Sequence, residues 1–137
     1  MSEKLHTNQT FSTDFSFSQQ DVADFARVTG DNNPVHLDED FASKTIFKTR
    51  IMHGMLGACV FSKVFGTMFP GEGTIYLSQS VNFLKPMYVD TFYDAQFEVL
   101  EILDKNRARI STSILTKEGK KVVVGEAVVM NIEKISA

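Results

Sequence analysis

The chain has 137 residues, of which 43% are hydrophobic and 23% charged, a balance that rules out general disorder and suits one domain with its own core. The formal charge of −3 gives no basic field, so a nucleic-acid binder is disfavoured. One cysteine makes neither an internal disulfide nor a thiolate metal site. The first ten residues are polar and no apolar run approaches the roughly 20 residues of a membrane span. We therefore expect no membrane contact and a cytoplasmic location, although a mitochondrial-matrix chain after presequence removal would read the same.

In chain order, residues 1–8 form a polar, flexible lead-in, and residues 11–17 a short phenylalanine-rich strand. Ser18, three before Asp21, opens a helix that runs to about Val28 and ends at Gly30. Its apolar stripe is Val22, Phe25, Ala26 and Val28. A loop covers 31–37, and Asp38 caps a short helix ending near Lys44. Residues 53–68 are apolar on nearly every side, with Lys63 the only charge, as in a helix surrounded by protein. Pro70-Gly71-Glu72-Gly73 stops it.

The remainder reads as strand. Residues 75–84 alternate Ile75, Leu77, Val81 and Phe83 against Tyr76, Ser78, Ser80 and Asn82. Residues 92–103 set Tyr93, Ala95, Phe97 and Val99 against Asp94, Gln96 and Glu98. Residues 107–116 set Ala108, Ile110 and Ile114 against Arg109, Ser111 and Ser113, and 121–132 are valine-rich. Asp104-Lys105-Asn106 and Lys117-Glu118-Gly119 are hairpin turns. One buried helix followed by antiparallel strands implies an α+β sheet curled around that helix. The outer face stays apolar over 122–130, which suggests a homodimer.

Asp31 and His36 lie five positions apart across a loop stiffened by Pro34, and together they can hold a water and move its protons. The segment from Ile51 to Ala58 carries His53-Gly54 at the head of the apolar helix, where unbonded N–H groups can receive developing negative charge. An acid/base pair next to an oxyanion site equips the chain for water chemistry beside a carbonyl. Spacing alone equally describes an Asx turn at residues 31–34 and a packed core histidine at 36. Cys59, among Ala58, Val60 and Phe61, reads as a buried inert thiol. The three histidines show no metal spacing, so no metal is expected.

The window Phe25-Ala-x-x-Thr-Gly-Asp31-x-Asn-Pro-x-His36-x-Asp38 resembles the hydratase-2 motif of the MaoC-like dehydratases, hot-dog-fold proteins that include the (R)-specific enoyl-CoA hydratases. Residues 51–58, Gly73-x-Ile75-Tyr76-x-x-Gln79-Ser80 and Gly125-Glu126-Ala127-Val128-Val129 are similar to further family segments, so the resemblance covers nearly the whole chain as one hot-dog domain. It implies reversible addition of water to trans-2-enoyl thioesters, giving (R)-3-hydroxyacyl thioesters. Asp31 and His36 would be catalytic, the Gly54 N–H the oxyanion donor, and Ser62 the helix serine that assists the site. Asn33 would orient the loop and His53 contact substrate. Lys44, Lys48 and Arg50, with Lys85, would meet the phosphates of coenzyme A. No separate cofactor is implied, because coenzyme A or phosphopantetheine belongs to the substrate. Met87-Tyr88-Val89-Asp90-Thr91 replaces the glycine-containing turn of the family. Other readings on the same fold are an acyl-CoA thioesterase, a non-catalytic acyl-thioester binder, and a subunit of a 3-hydroxyacyl-carrier-protein dehydratase.

Overall fold

Strand β1 (Thr10–Phe15) leads into helix α1 (Gln19–Thr29). Two one-turn helices, α2 (Pro34–Leu37) and α3 (Glu39–Ser43), precede the long helix α4 (Gly54–Thr67). Strands β2 (Ile75–Gln79), β3 (Asn82–Phe83), β4 (Tyr93–Leu103), β5 (Arg107–Thr116) and β6 (Lys121–Met130) complete the chain. This computed structural model describes residues 3–137.

All strand pairs are antiparallel, in the order β1-β4-β5-β6-β2, with β3 also on β6. The two hairpin turns form as expected. Lys105 and Asn106 both take φ near 60° and Gly119 takes φ 89°, values that suit a tight reversal. Tyr93, Ala95, Phe97 and Val99 face inward from β4, and Ala108, Ile110 and Ile114 from β5. Against them lies α4, whose Phe61 and Phe65 meet the Phe97 ring edge-on at 5.8 and 5.4 Å. Each such pair contributes about 0.5–1.5 kcal/mol beyond burial. The result is the expected α+β arrangement, a sheet curled around one helix.

Helix α1 opens with a full capping box between Ser18 and Asp21 and closes on Gly30 at φ 82°. Its buried residues are Val22 and Ala26, with Phe25 packed beside them. Val28 is exposed, against expectation. Six residues after Val22, it lies about 240° around the helix and off the stripe.

The strand expected over 75–84 is broken. The N–H of Ser80 donates to the Glu126 carbonyl at 2.8 Å, and the register moves from Gln79 opposite Ala127 to Asn82 opposite Val124. Gly125 permits this, since a Cβ there would overlap the Ser80 carbonyl. The register also shifts between Tyr76 and Ser78, and the expected inward facing of Ile75 and Leu77 is not found. Tyr76 packs on Phe65 with centroids 5.3 Å apart, while Ile75 and Leu77 are exposed.

Two further expectations change. The lead-in is docked from Leu5 onward: the N–H of Leu5 donates to the Lys134 carbonyl and that of Asn8 to the Val99 carbonyl, both at 2.8 Å, with Leu5 buried. Met1 and Ser2 lie outside the described residues. Helix α4 is covered on one side only, leaving Met55, Cys59, Ser62, Lys63 and Gly66 open to solvent. The outer face of β6 carries the half-buried Val124, Val128 and Met130, apolar as expected apart from Glu126, which pairs with Arg109, while Val123, Ala127 and Val129 face the core. Further exposed apolar surface gathers at the β2/β3 edge, in Ile75, Leu77, Phe83 and Leu84.

Candidate active site

The loop between α1 and α2 is held by local side-chain chemistry. Past Gly30, the Asp31 N–H donates to Thr29 Oγ1 at 3.2 Å. The Asn33 side-chain oxygen caps α2 by accepting from the Val35 N–H at 3.2 Å, and Pro34 occupies the first helical turn, where its missing N–H costs nothing. Gln19 Nε2 donates to the His36 carbonyl at 2.9 Å, which ties α2 to α1. The turn therefore presents Asp31 and His36 in a fixed relation.

His36 is half-buried, and its Nδ1 lies 2.8 Å from the Ile51 carbonyl oxygen. A carbonyl only accepts, so Nδ1 carries the hydrogen and Nε2 keeps its lone pair. Burial pushes the imidazole pKa below its ordinary value; the His53 ring adds to this, while the Ile51 hydrogen bond and the Asp31 charge oppose it. At neutral pH the ring is an uncharged base. Ligand atoms of Asp31, His36 and His53 lie within 4.8 Å of one another.

Helix α4 begins at Gly54, and neither its N–H nor that of Met55 is bonded to an acceptor among the described residues. The Leu56 and Gly57 N–H groups donate to the His53 carbonyl at 3.1 and 3.4 Å. Positive dipole ends are thus left open at the helix head. Asp31, His36 and Gly54 line one cavity of about 430 Å³, with Phe47, Met55, Phe83, Leu84 and Lys85 around it.

The sequence-predicted residues divide as follows. Asp31, His36 and Gly54 come together. Asn33 caps α2 through its side-chain oxygen. His53, expected to contact substrate, is buried, with Nε2 2.9 Å from the Asp31 carbonyl oxygen and its ring stacked on His36 at 3.9 Å. Ser62 is not brought to the pair. Two turns along α4, it lines a separate groove of about 310 Å³ with Met55, Cys59, Tyr76 and Gln79. Lys44 and Lys48 do not line the catalytic cavity, and Arg50 is drawn to Glu39 at 3.4 Å; the cation at the mouth is Lys85. Cys59 is exposed on the groove wall rather than buried, and its apolar surroundings raise its thiol pKa. In the segment that lacks the family glycine, Asp90 takes φ 54° and its N–H donates to the Phe17 carbonyl at 2.8 Å.

The histidine spacing showed no metal pattern, yet folding does assemble Asp31, His36 and His53. The two rings are stacked with planes 29° apart. Imidazole lone pairs lie in the ring plane, so no one ion lies in the plane of both stacked rings at once. Sequence reasoning also missed the Ile51 carbonyl that sets the His36 tautomer, and Phe83 against Gly54. A main-chain acceptor leaves no trace in residue type.

A neutral imidazole and a carboxylate beside free amides can activate water and receive charge on a carbonyl oxygen. Hydratases and dehydratases are among the known proteins this chain resembles. It is 41% identical to the (R)-specific enoyl-CoA hydratase of Aeromonas caviae, over 93% of this chain and 96% of that one. It is 43% identical to a 3-hydroxybutyryl-CoA dehydratase of Methylorubrum extorquens, over 82% of this chain and 71% of that one. The solved structure of an (R)-hydratase from A. caviae involved in PHA biosynthesis superposes with a TM-score of 0.90 at 40% identity, covering 95% of this chain and 99% of that one. The model of the MaoC like domain matches residues 2–130, nearly all of the fold built above, and the chain belongs to that family.

Proposed function

We infer that this protein is an (R)-specific enoyl-CoA hydratase, a hydro-lyase that adds water reversibly to trans-2-enoyl thioesters. The observation that carries the reading is the neutral His36, its Nε2 free, beside the Asp31 carboxylate in one cavity with the unbonded Gly54 N–H. The similarity to two enzymes of this reaction class supports it.

In the hydration direction, the Asp31 carboxylate accepts a hydrogen bond from the water and orients it. His36 Nε2 takes the other proton as the water oxygen bonds to C3. The C2–C3 π electrons move toward C1, and the thioester oxygen gains charge against the Gly54 N–H. The imidazolium then returns its proton to C2. One water is consumed and His36 ends neutral, so atoms and charge balance. Positioned acid/base groups contribute roughly 10²–10⁴-fold, and one oxyanion donor about 2.7–4 kcal/mol. The reaction uses no resident cofactor, since the coenzyme A arm arrives with the substrate.

The working unit in this reading is a homodimer. Helix α4 exposes Met55 and Cys59, and the adjoining sheet edge exposes Ile75, Leu77, Phe83 and Leu84. Such a contiguous apolar patch is suited to a second copy of the chain. Sedimentation at micromolar concentration should give twice the monomer mass. Among the described residues no helix is long and apolar enough to cross a membrane.

Crotonyl-CoA tests the activity. Adding protein should remove the absorbance of the conjugated thioester and yield the (R)-3-hydroxy product on chiral analysis. Released thiol in place of hydration would mean thioesterase chemistry. Acyl-CoA binding without turnover would mean a binding module. Either result would overturn the proposal.

A further inference from the structure

Among the described residues, His53 Nδ1 is the one buried side-chain polar atom without a hydrogen-bond partner. The imidazole itself is only 2% exposed. It lies between Phe25 of α1, with ring centroids 4.8 Å apart, and His36 of α2, at 3.9 Å. Its Nε2 is 2.9 Å from the Asp31 carbonyl oxygen, so the hydrogen resides on Nε2, and Nδ1 is left as a bare lone pair in the interior. Burying an unsatisfied acceptor costs stability, and a hydrophobic residue here would avoid that cost. Something other than packing therefore favours imidazole at this position.

The Nε2–H bond accounts for it. Asp31 projects its carboxylate from an exposed loop with no side-chain hydrogen bond from the described residues, so only its backbone can fix the carboxylate's position. That backbone is held at two points, its N–H by Thr29 Oγ1 and its carbonyl by His53. The other side of the reaction depends on the same residue. The His53 carbonyl accepts the first N–H bonds of α4, and its C-terminal neighbour is Gly54. The stacked face of its ring also limits where the His36 imidazole can turn.

We propose that His53 is the positioning residue of this site, joining the Asp31–His36 pair to the oxyanion end of α4 through its Nε2–H bond to the Asp31 carbonyl and its stack on His36. With an imidazole only 2% exposed at the cavity wall, it acts through the groups it holds. The proposal rests on the hydratase reading and adds to it the element that sets the distance between the proton-transfer groups and the amide.

The test compares purified full-length His53→Gln and His53→Phe with the parent protein on crotonyl-CoA. Gln keeps an N–H donor at the ε position, whereas Phe keeps the ring and loses the donor. A misplacement on the order of 1 Å costs about 10²-fold. Thus kcat should fall about 100-fold in the Phe variant with KM nearly unchanged, and Gln should restore it to within about tenfold. Placed on a His36→Ala background, His53→Phe should lower the residual rate much less than it does alone, because the pair it positions is already broken. ¹⁵N NMR of the parent protein at pH 8 should show His53 protonated at Nε2 only, a readout that does not require a variant to fold. An Nδ1–H tautomer, equal losses in Gln and Phe variants, or the same factor on both backgrounds would overturn the proposal. Because the parent's own turnover is measured alongside, failure here is distinguishable from failure of the hydratase reading.

Discussion

Gly54→Ala separates site geometry from fold stability. A methyl group built on Gly54 falls 2.6 Å from Cδ1 and 2.7 Å from Cε1 of Phe83. Carbon atoms in contact prefer about 3.5–4.0 Å, so ring or helix head must give by about 1 Å. Phe83 is half exposed and sits on the two-residue strand β3, so the ring yields outward at a cost of at most about 1 kcal/mol. Alanine recovers part of that through its better helix propensity, up to about 1 kcal/mol. Net stability should therefore change by less than about 1 kcal/mol in denaturant unfolding. The cavity wall formed by Phe83 and the helix head does move, and a displacement on the order of 1 Å should lower kcat/KM for crotonyl-CoA about 10–100-fold. Unchanged kcat/KM would show that the close approach of ring to helix head plays no part in catalysis. A loss of several kcal/mol would show that Gly54 is kept for packing, and the argument would fail on that side.

Asp31→Asn should cost about 10²–10⁴-fold in kcat while leaving the unfolding midpoint in place, because the carboxylate is exposed and no described residue bonds to it; a midpoint shift with retained rate would reverse that assignment. The His36 pKa lies below its ordinary 6.5, so the hydration rate should be flat above pH 6.5 and decline tenfold per pH unit only below the lowered value. Linkage gives the matching stability trend: the unfolded chain binds more protons, so the contribution of this group is complete above pH 6.5 and is lost as pH falls through the folded value. A rate that begins to fall above pH 6.5 in kcat/KM measurements would contradict a buried neutral base. Gly125→Ala should destabilise by about 3 kcal/mol or more, since the clash is with main chain rather than a mobile side chain; urea unfolding at the parent midpoint would show that Ser80, between β2 and β3, does not approach Gly125 of β6 as described.

Features set by neighbouring residues were legible in the sequence. The Ser18–Asp21 capping box, the Gly30 stop, the Asp38 cap and the alternation of β4 and β5 each follow from chemistry within a turn or a hairpin. What escaped depends on distant backbone. The break between β2 and β3 rests on a contact between Ser80 and Glu126, 46 positions apart, and on the missing Cβ of Gly125. The tautomers of His36 and His53 are set by carbonyls 15 and 22 positions upstream or downstream. Ser62 shares a helix face with Met55, as its spacing implies, but that face looks onto β2 and not onto the acid/base pair.

The length of the Thr29–Asp38 motif now has a stereochemical account. Thr29 Oγ1 receives the Asp31 N–H, and Gly30 takes the left-handed conformation that ends α1. Asn33 and Pro34 start α2 where His36 reaches the Ile51 carbonyl, and Asp38 caps α3 through the Phe41 N–H. The Asp31 carboxylate and His36 Nε2 are left with unused chemistry, while the side-chain oxygens of Thr29, Asn33 and Asp38 are bonded to main chain. A bare five-residue spacing would place the same two side chains in many relative orientations. The surrounding caps select one, and that selection is why the pattern distinguishes a water-handling site from an ordinary Asx turn. Substituting Asn33 by Ala should therefore lower kcat through the orientation of His36, with the unfolding free energy falling only by the roughly 0.5–2 kcal/mol of a lost cap.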